Sequence, residues 1–195
     1  ENCLGCCVTI PHKNIAYDLI DEPMPRAQRI GAINIIKREK SGKLLGDMTD
    51  GIGCINALRL NGFSVTGKKI GLIGGGGAGS AIADAIGEHR AAQLSLVEID
   101  KLKSDTLLLK LQKQYPALTL ENNISRPEEI DIVINASPSG MNKNDLLPID
   151  PFTFRSGIVI ADSVTKPNFT PFLKSAKSNG CFIQKGSEMA DAQLQ

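Results

Sequence analysis

The residues most suggestive of chemistry are the run Gly74-Gly75-Gly76-Gly77-Ala78-Gly79-Ser80, which follows directly on the apolar Ile70-Gly71-Leu72-Ile73. Within it, Gly74-x-Gly76-x-x-Gly79 has the spacing of a dinucleotide-binding turn. One glycine makes the tight turn, one lets backbone approach a pyrophosphate, and one lets the next helix pack on the strand. A helix beginning there offers unpaired N–H groups and a positive dipole end to phosphate. Glu98 closes the next apolar run, near the roughly 20-residue distance at which a carboxylate meets ribose hydroxyls. The bland alternatives are a glycine turn formed for packing, and solvated strand-end charges for Glu98 and Asp100.

Other candidate chemistry is thinner. Cys3, Cys6 and Cys7 crowd together, but with His12 and His89 the only histidines a fourth metal ligand is hard to find. Five cysteines, an odd number without framework spacing, read as reduced thiols rather than staples. Neither metal binding nor a disulfide is expected.

The elements around the glycine-rich turn alternate between strand and helix patterns. Strands are predicted at 69–73, 94–98, 131–135, 158–162 and 181–184, with helices at 78–87, 103–114 and 172–178. Such alternation argues for a parallel sheet with helices on both faces. Ahead of it, 5–10 reads as a buried strand and Pro11 as the first position of a helix reaching Leu19. Strands are expected at 32–36 and 44–45, and a helix over 50–60 stopped by Asn61-Gly62. Ser64 to Gly67 looks like a hinge, and a last helix starts at Gly186. The fold class is therefore α/β: a Rossmann-type doubly wound parallel sheet domain plus a smaller α/β domain. The units run 1–65, 66–184 and 185–195, the last being the start of a helix returning to the first.

Composition agrees with a globular chain. Of 195 residues, 42% are hydrophobic, enough to form a core and to argue against disorder. Lys and Arg number 22 against 21 Asp and Glu, so no net field recruits nucleic acid or an anionic membrane. No Trp and two Tyr leave few stacking platforms for single strands. No long apolar run lacks glycine or charge, so no membrane span is expected. The opening residues show no signal-peptide pattern, and the expected location is cytoplasmic. Oligomeric state leaves no mark in the sequence.

Several separate stretches, in order, resemble the shikimate dehydrogenase family. Cys7-Val8-Thr9-Ile10-Pro11-His12-Lys13 follows that family's N-V-T-x-P-x-K except at its first position. Gly31-Ala32-Ile33-Asn34-Ile35 keeps the asparagine of G-A-x-N-T. Gly46-Asp47-Met48-Thr49-Asp50-Gly51-Ile52-Gly53 keeps the Thr, Asp and both glycines of G-x-N-T-D-x-x-G. Asn135-Ala136-Ser137-Pro138-Ser139-Gly140-Met141, then Asp162 with Pro167 and Thr170, and Gly186-x-x-Met189 with Gln193 complete the series.

The resemblance implies an oxidoreductase of two domains, one for substrate and one for the nicotinamide cofactor. It would move a hydride between NAD(P)(H) and a ring carbon of shikimate/3-dehydroshikimate or a close cyclic hydroxy acid, as in aromatic amino acid biosynthesis. By matching position, Lys13 and Asp50 would be the catalytic pair, and Thr9, Asn34 and Gln193 would hold substrate hydroxyls. Gly74, Gly76, Gly77, Ala78, Gly79, Glu98, Asp100, Asn135, Ser137, Met141, Gly186 and Met189 would meet the cofactor. The family's opening segment and the end of its last helix are missing from the match. Cys7, Met48 and Thr165 replace two asparagines and a tyrosine expected near substrate, which leaves a quinate or other polyol-acid paralogue open, as well as a catalytically silent nucleotide-binding sensor. Glu98-Ile99-Asp100 stands where NADP-using members place an arginine against the 2′-phosphate. The expectation is NAD over NADP, unless Lys101 or Lys103 compensates.

Overall fold

Residues 3–193 are described by the computed structural model. The first part of the chain builds a four-stranded sheet from β1 (Gly5–Cys7), β2 (Glu22–Pro23), β3 (Ile35–Arg38) and β4 (Leu44–Asp47), in the order β1-β3-β4-β2. The β1–β3 and β3–β4 pairs are antiparallel, whereas β2 runs parallel to β4. Helices α1 (Lys13–Tyr17) and α2 (Pro25–Ile30) add Ala16, Tyr17 and Ala27 to a small core containing Ile33, Ile36 and Met48.

Several boundaries here differ from the sequence expectation. β1 stops at Cys7 and is exposed, because it is the sheet's edge and has a neighbour on one side only. A turn closed by His12 N donating to the Thr9 carbonyl (2.9 Å) occupies the stretch expected to continue the strand. Pro11 sits in that turn, and α1 starts at Lys13 instead. Ala32 to Asn34 lead into β3 as bridging backbone. Ile33 N donates to the Lys13 carbonyl (3.0 Å) and Asn34 N to that of Asp47 (3.0 Å).

Helix α3 (Asp50–Leu60) leaves this sheet and ends at Asn61-Gly62. Beyond Gly67 the chain alternates through β5 (Lys69–Ile73), α4 (Gly77–Glu88), β6 (Gln93–Val97), α5 (Lys101–Gln114), β7 (Thr119–Glu121), β8 (Ile132–Asn135), β9 (Val159–Asp162), α6 (Pro171–Ser178) and β10 (Phe182–Gln184). The six strands are parallel, in the order β10-β9-β8-β5-β6-β7. The order reverses between β5 and β8, and ligands of doubly wound sheets bind outside the strand ends at such a point.

Central strands of a sheet covered on both faces read as continuous apolar runs. Ile132-Val133-Ile134 and Val159-Ile160-Ala161 fit that pattern, and all six residues are buried. One core gathers Leu58, Leu72, Ile82, Ile86 and Leu107 under α3, α4 and α5; the other gathers Ile130, Val133, Phe154, Phe172 and Leu173 under α6. Helix α7 (Gly186–Ala192) packs back on α3. The two approach at Gly53, where a Cβ would lie 2.8 Å from the Met189 carbonyl oxygen. Residues 194 and 195 of the returning segment lie outside the described residues.

Candidate active site

Lys13 is the first residue of α1 and Asp50 the first of α3, and both are buried (9% and 5% exposed). Lys13 Nζ is hydrogen-bonded and ion-paired to Asp50 Oδ2. Asp50 Oδ1 accepts from Asn34 Nδ2 (2.8 Å) and Gln193 Nε2 (3.2 Å). A carboxylate buried this deeply is costly unless paired and hydrogen-bonded. Three donors from three distant parts of the chain meet that requirement, and its place at the N-terminus of an eleven-residue helix adds a favourable dipole.

The amides are fixed in turn. Asn34 Oδ1 accepts from Thr49 N (2.8 Å), and Asn34 Nδ2 also reaches Gln193 Oε1 (3.1 Å). Thr49 Oγ1 lies 3.1 Å from both Asn34 Oδ1 and Gln193 Oε1. The hydrogen-bonding direction of every amide is thereby set. Thr9 joins Lys13, Asp50 and Gln193 in lining a cavity of about 160 Å³, which Ser137, Met141 and Met189 line as well.

That cavity opens into a second, of about 590 Å³, through the shared Lys13, Ala78, Ser137 and Pro138. The larger one passes Gly74, Gly76 and Gly77 and reaches Glu98. At Gly79 a Cβ would lie 2.0 Å from the Gly74 carbonyl oxygen, so only glycine lets α4 start this close to the turn. Over Gly76, by contrast, nothing lies within 4 Å of such a Cβ. Open space above a glycine backbone, at the first turn of a twelve-residue helix, fits a pyrophosphate. The adjoining slot reaching Lys13 fits a ring carried on it.

The remaining sequence candidates divide between the cavity walls and their supports. Glu98 faces the larger cavity, but its carboxylate accepts from Gly75 N (2.6 Å) and Asp100 N (2.9 Å). Asp100 caps α5, accepting from Leu102 N (3.1 Å) and Lys103 N (3.2 Å). The Lys103 N–H above all holds its carboxyl below the ordinary range. Asn135 is fully buried and lines neither cavity; Gly186 lines the smaller one and packs against the Val164 carbonyl, where a Cβ would come within 2.3 Å. Met48 is buried in the small core and Cys7 is exposed on β1, so of the three departures from the family pattern only Thr165 lines the smaller cavity.

The role of Thr49 escaped the sequence reading, although the residue itself stands in the motif beside Asp50. So did the contact of Arg29 with Asp84, made by Nε (3.1 Å) and Nη2 (2.8 Å), which ties α2 to α4. Cys54 lies on the buried face of α3, its thiol pushed up to about 12 by burial. Among the described residues no cluster of three or more His, Cys, Asp or Glu could hold a metal, and no helix is long and apolar enough to cross a membrane.

Comparison with known proteins places these features. A profile of the shikimate dehydrogenase substrate binding domain matches residues 1–36. The shikimate dehydrogenase (NADP(+)) of Bacillus cereus (strain AH187) is 33% identical over 189 residues, covering 95% of this chain and 68% of that protein. That of Aeromonas salmonicida (strain A449) is 35% identical over 179 residues, 90% of this chain and 64% of its own. The chain thus spans about two thirds of the length of these relatives. Among solved structures, the 5-ketofructose reductase of Gluconobacter sp. strain CHM43 superposes with a TM-score of 0.87 at 32% identity, over 97% of this chain and 70% of that one. Shikimate 5-dehydrogenase from Listeria monocytogenes, in complex with shikimate and NAD, superposes at 0.85 with 27% identity over 98% and 70%.

These relatives correct the cofactor expectation. The two curated relatives are named for NADP(+), which overturns the preference for NAD drawn from Glu98 and Asp100. The physical reason lies in what the carboxylates already do. Glu98 accepts from two backbone N–H groups and Asp100 from the first turn of α5, while Lys103 lines the same cavity. Two acids in sequence do not show that both carboxylates are already satisfied, and Lys103, the cation that could compensate, stands beside them. With the parallel sheet, the dinucleotide turn and the ordered motifs matching relatives along nearly its whole length, the chain belongs to the shikimate dehydrogenase family.

Proposed function

We propose that this chain transfers a hydride between NADP(H) and a ring carbon of shikimate/3-dehydroshikimate or a closely related cyclic hydroxy acid. The observation that carries this reading is the buried Lys13–Asp50 pair, set where the cavity along the dinucleotide turn meets the smaller cavity. Residues 1–65 serve the substrate, 66–184 the dinucleotide, and the segment from 185 returns to complete the substrate side.

When bound, the nicotinamide supplies or accepts the hydride. The chain's own residues handle the proton and the orientation. Lys13 Nζ gives a proton to the carbonyl oxygen during reduction and takes it from the alcohol during oxidation. Asp50 holds that ammonium in place, and Asn34 and Gln193 fix Asp50 from its other oxygen. Thr9 adds a hydroxyl to the smaller cavity, Thr49 holds the amides of Asn34 and Gln193, and the N–H groups at the start of α4 would receive the pyrophosphate. Glu98 would meet a ribose, and Met141 and Met189 would flank the ring.

The test is to mix the protein with NADP and a panel of cyclic hydroxy acids and follow the absorbance of reduced nicotinamide. Turnover of shikimate bears the reading out and disposes of a silent sensor. No reduction with any member, beside an active relative under the same conditions, would falsify it. A second reading, quinate or another polyol acid, is favoured by Thr165, which brings a small hydroxyl where the family usually carries an aromatic ring. The same panel ranks the two.

A further inference from the structure

Strands β8 and β9 end side by side, with Asn135 and Asp162 directly paired in register. Asn135, Asp162 and Thr170 are each at most 1% exposed, and none lines either cavity. Asp162 Oδ1 accepts from Asn135 Nδ2 (2.9 Å) and Val164 N (3.0 Å), while Oδ2 accepts from Thr170 Oγ1 (2.6 Å). Thr170 Oγ1 in turn accepts from Leu173 N (3.2 Å), capping α6. Asn135 Nδ2 also donates to the Ser139 carbonyl (3.1 Å), and its Oδ1 accepts from Ser137 N (3.0 Å) and Ser137 Oγ (2.6 Å).

The three side chains therefore hold two loops at once. One, after β8, carries Ser137, Pro138 and Met141; the other, after β9, carries Ser163, Val164 and Thr165. Both loops line the smaller cavity together with Lys13 and Asp50, and Ser137 and Pro138 of the first also line the larger one. Among the described residues none of the three hydrogen-bonds to the glycine-rich turn at 74–80. Stability alone gives little reason for such a cluster, since a well-packed apolar group often replaces a buried charge at no loss. Burial pushes the Asp162 carboxyl up, which marks the cost of keeping it there. Direction is what it adds: a carboxylate with three donors and an amide with both ends engaged each admit one arrangement.

We propose that Asp162, with Asn135 and Thr170, is the positioning unit of the nicotinamide half of the site, setting the two loops that face the ring without touching it. This rests on the proposed function, in that the ligand is a nicotinamide dinucleotide. The unit acts on one half of the cofactor only. The pyrophosphate and adenosine half would be held by the turn after β5, to which none of the three side chains hydrogen-bonds.

The experiment measures binding by titration calorimetry with two probes: intact NADP, and 2′-phospho-ADP-ribose, which lacks the nicotinamide. Thr170→Val keeps the shape but removes the hydroxyl, and Thr170→Ser restores it. Asp162→Asn repeats the break at constant volume, with circular dichroism confirming the fold of each variant. Because small misplacements of a bound group cost up to about 10²-fold in rate, a loss of roughly 10-fold in NADP affinity is expected for Thr170→Val. Affinity for 2′-phospho-ADP-ribose should stay within about twofold, since the phosphate contacts at the helix N-terminus are untouched. Thr170→Ser should match the wild type with both probes. Equal losses with both probes would show a merely structural role and overturn the inference, as would no loss with either. Failure of the wild type to bind either probe would instead overturn the proposed function itself.

Discussion

Replacing Lys13 by Met should separate stability from catalysis in a way that only a buried proton-handling pair predicts. Methionine keeps the stem that packs beside Gly77, where a glycine Cβ would sit 3.5 Å from Lys13 Cδ, and deletes the charge. Asp50, 5% exposed, then keeps only the amides of Asn34 and Gln193. Removing one partner of a buried pair costs about 3–5 kcal/mol, because the other charge is left uncompensated. Two surviving hydrogen bonds to that charge place the expected loss near the lower end, ~3 kcal/mol. For a chain of this size that is a fall of roughly 6–12 °C in Tm.

Adding Asp50→Asn removes the stranded charge. A neutral pair of similar volume is often no less stable than the ion pair, so the double variant should recover to within about 1 kcal/mol of the wild type. Turnover should behave differently. Lys13→Met should lose at least ~10²-fold, and the double variant should recover none of it, because a proton relay fails as one device. Thermal unfolding and steady-state turnover on the three proteins check this. A double variant as unstable as Lys13→Met would refute the idea that a stranded carboxylate is the cost. Activity returning in step with stability would refute the catalytic role, since the loss would then have come from unfolding.

Other outcomes follow from the same structure. Gly79→Ala should destabilise by at least ~2 kcal/mol and abolish dinucleotide binding, because its Cβ meets the Gly74 carbonyl at 2.0 Å, and normal binding would disprove the tight-turn argument. Arg29→Ala, which breaks a paired and partly exposed contact to Asp84, should cost about 1–2 kcal/mol in urea unfolding, and an unchanged midpoint would mean that α2 and α4 do not need this tie. A thiol reagent should titrate the exposed Cys3, Cys6 and Cys7 quickly in the native protein, with buried Cys54 and Cys181 reacting only on unfolding; rapid reaction of all five would contradict that packing. Burial raises the Asp162 carboxyl above its ordinary value, so the folded state binds more protons than the unfolded one as pH climbs from about 4. The stability advantage of the wild type over Asp162→Asn should therefore shrink as pH rises through that window, and an advantage that grows would reverse the assignment.

Features that depend on neighbours in sequence were legible before any coordinates. Helix α3 and strand β5 run over 50–60 and 69–73 as the residue pattern predicts, because apolar spacing and the Asn61-Gly62 stop are local signals. Strands β2 and β7 and helix α2 were missed. The strands are two and three residues long, and short strands owe their pairing to the sheet rather than to their own pattern. Strand β1 was read as buried from apolar residues that edge position leaves exposed.

Charge was the least legible property, and the reason is physical. A carboxylate in sequence has a sign but no partner, and its effect on a ligand depends on the donors it already has. Glu98 and Asp100 looked like two free acids facing a phosphate; each is committed to backbone N–H groups. Asn135 reads in sequence as a cofactor contact, whereas the structure shows it buried with its amide engaged by Asp162, Ser137 and Ser139. The same consideration explains why Lys13 could be named from a motif while its situation could not be foreseen. Alone, the five-residue helix that carries it would not form in water, since nucleation outweighs so few bonds. It is held by Ile33 N on the Lys13 carbonyl and by Asp50 on its ammonium, and Asp50 by Asn34 and Gln193, themselves 159 residues apart. The geometry on which the proposed proton transfer depends is therefore a property of the folded chain as a whole. Each link in it comes from a different element, so loosening α7 or β3 should disturb Lys13 as surely as a change beside it.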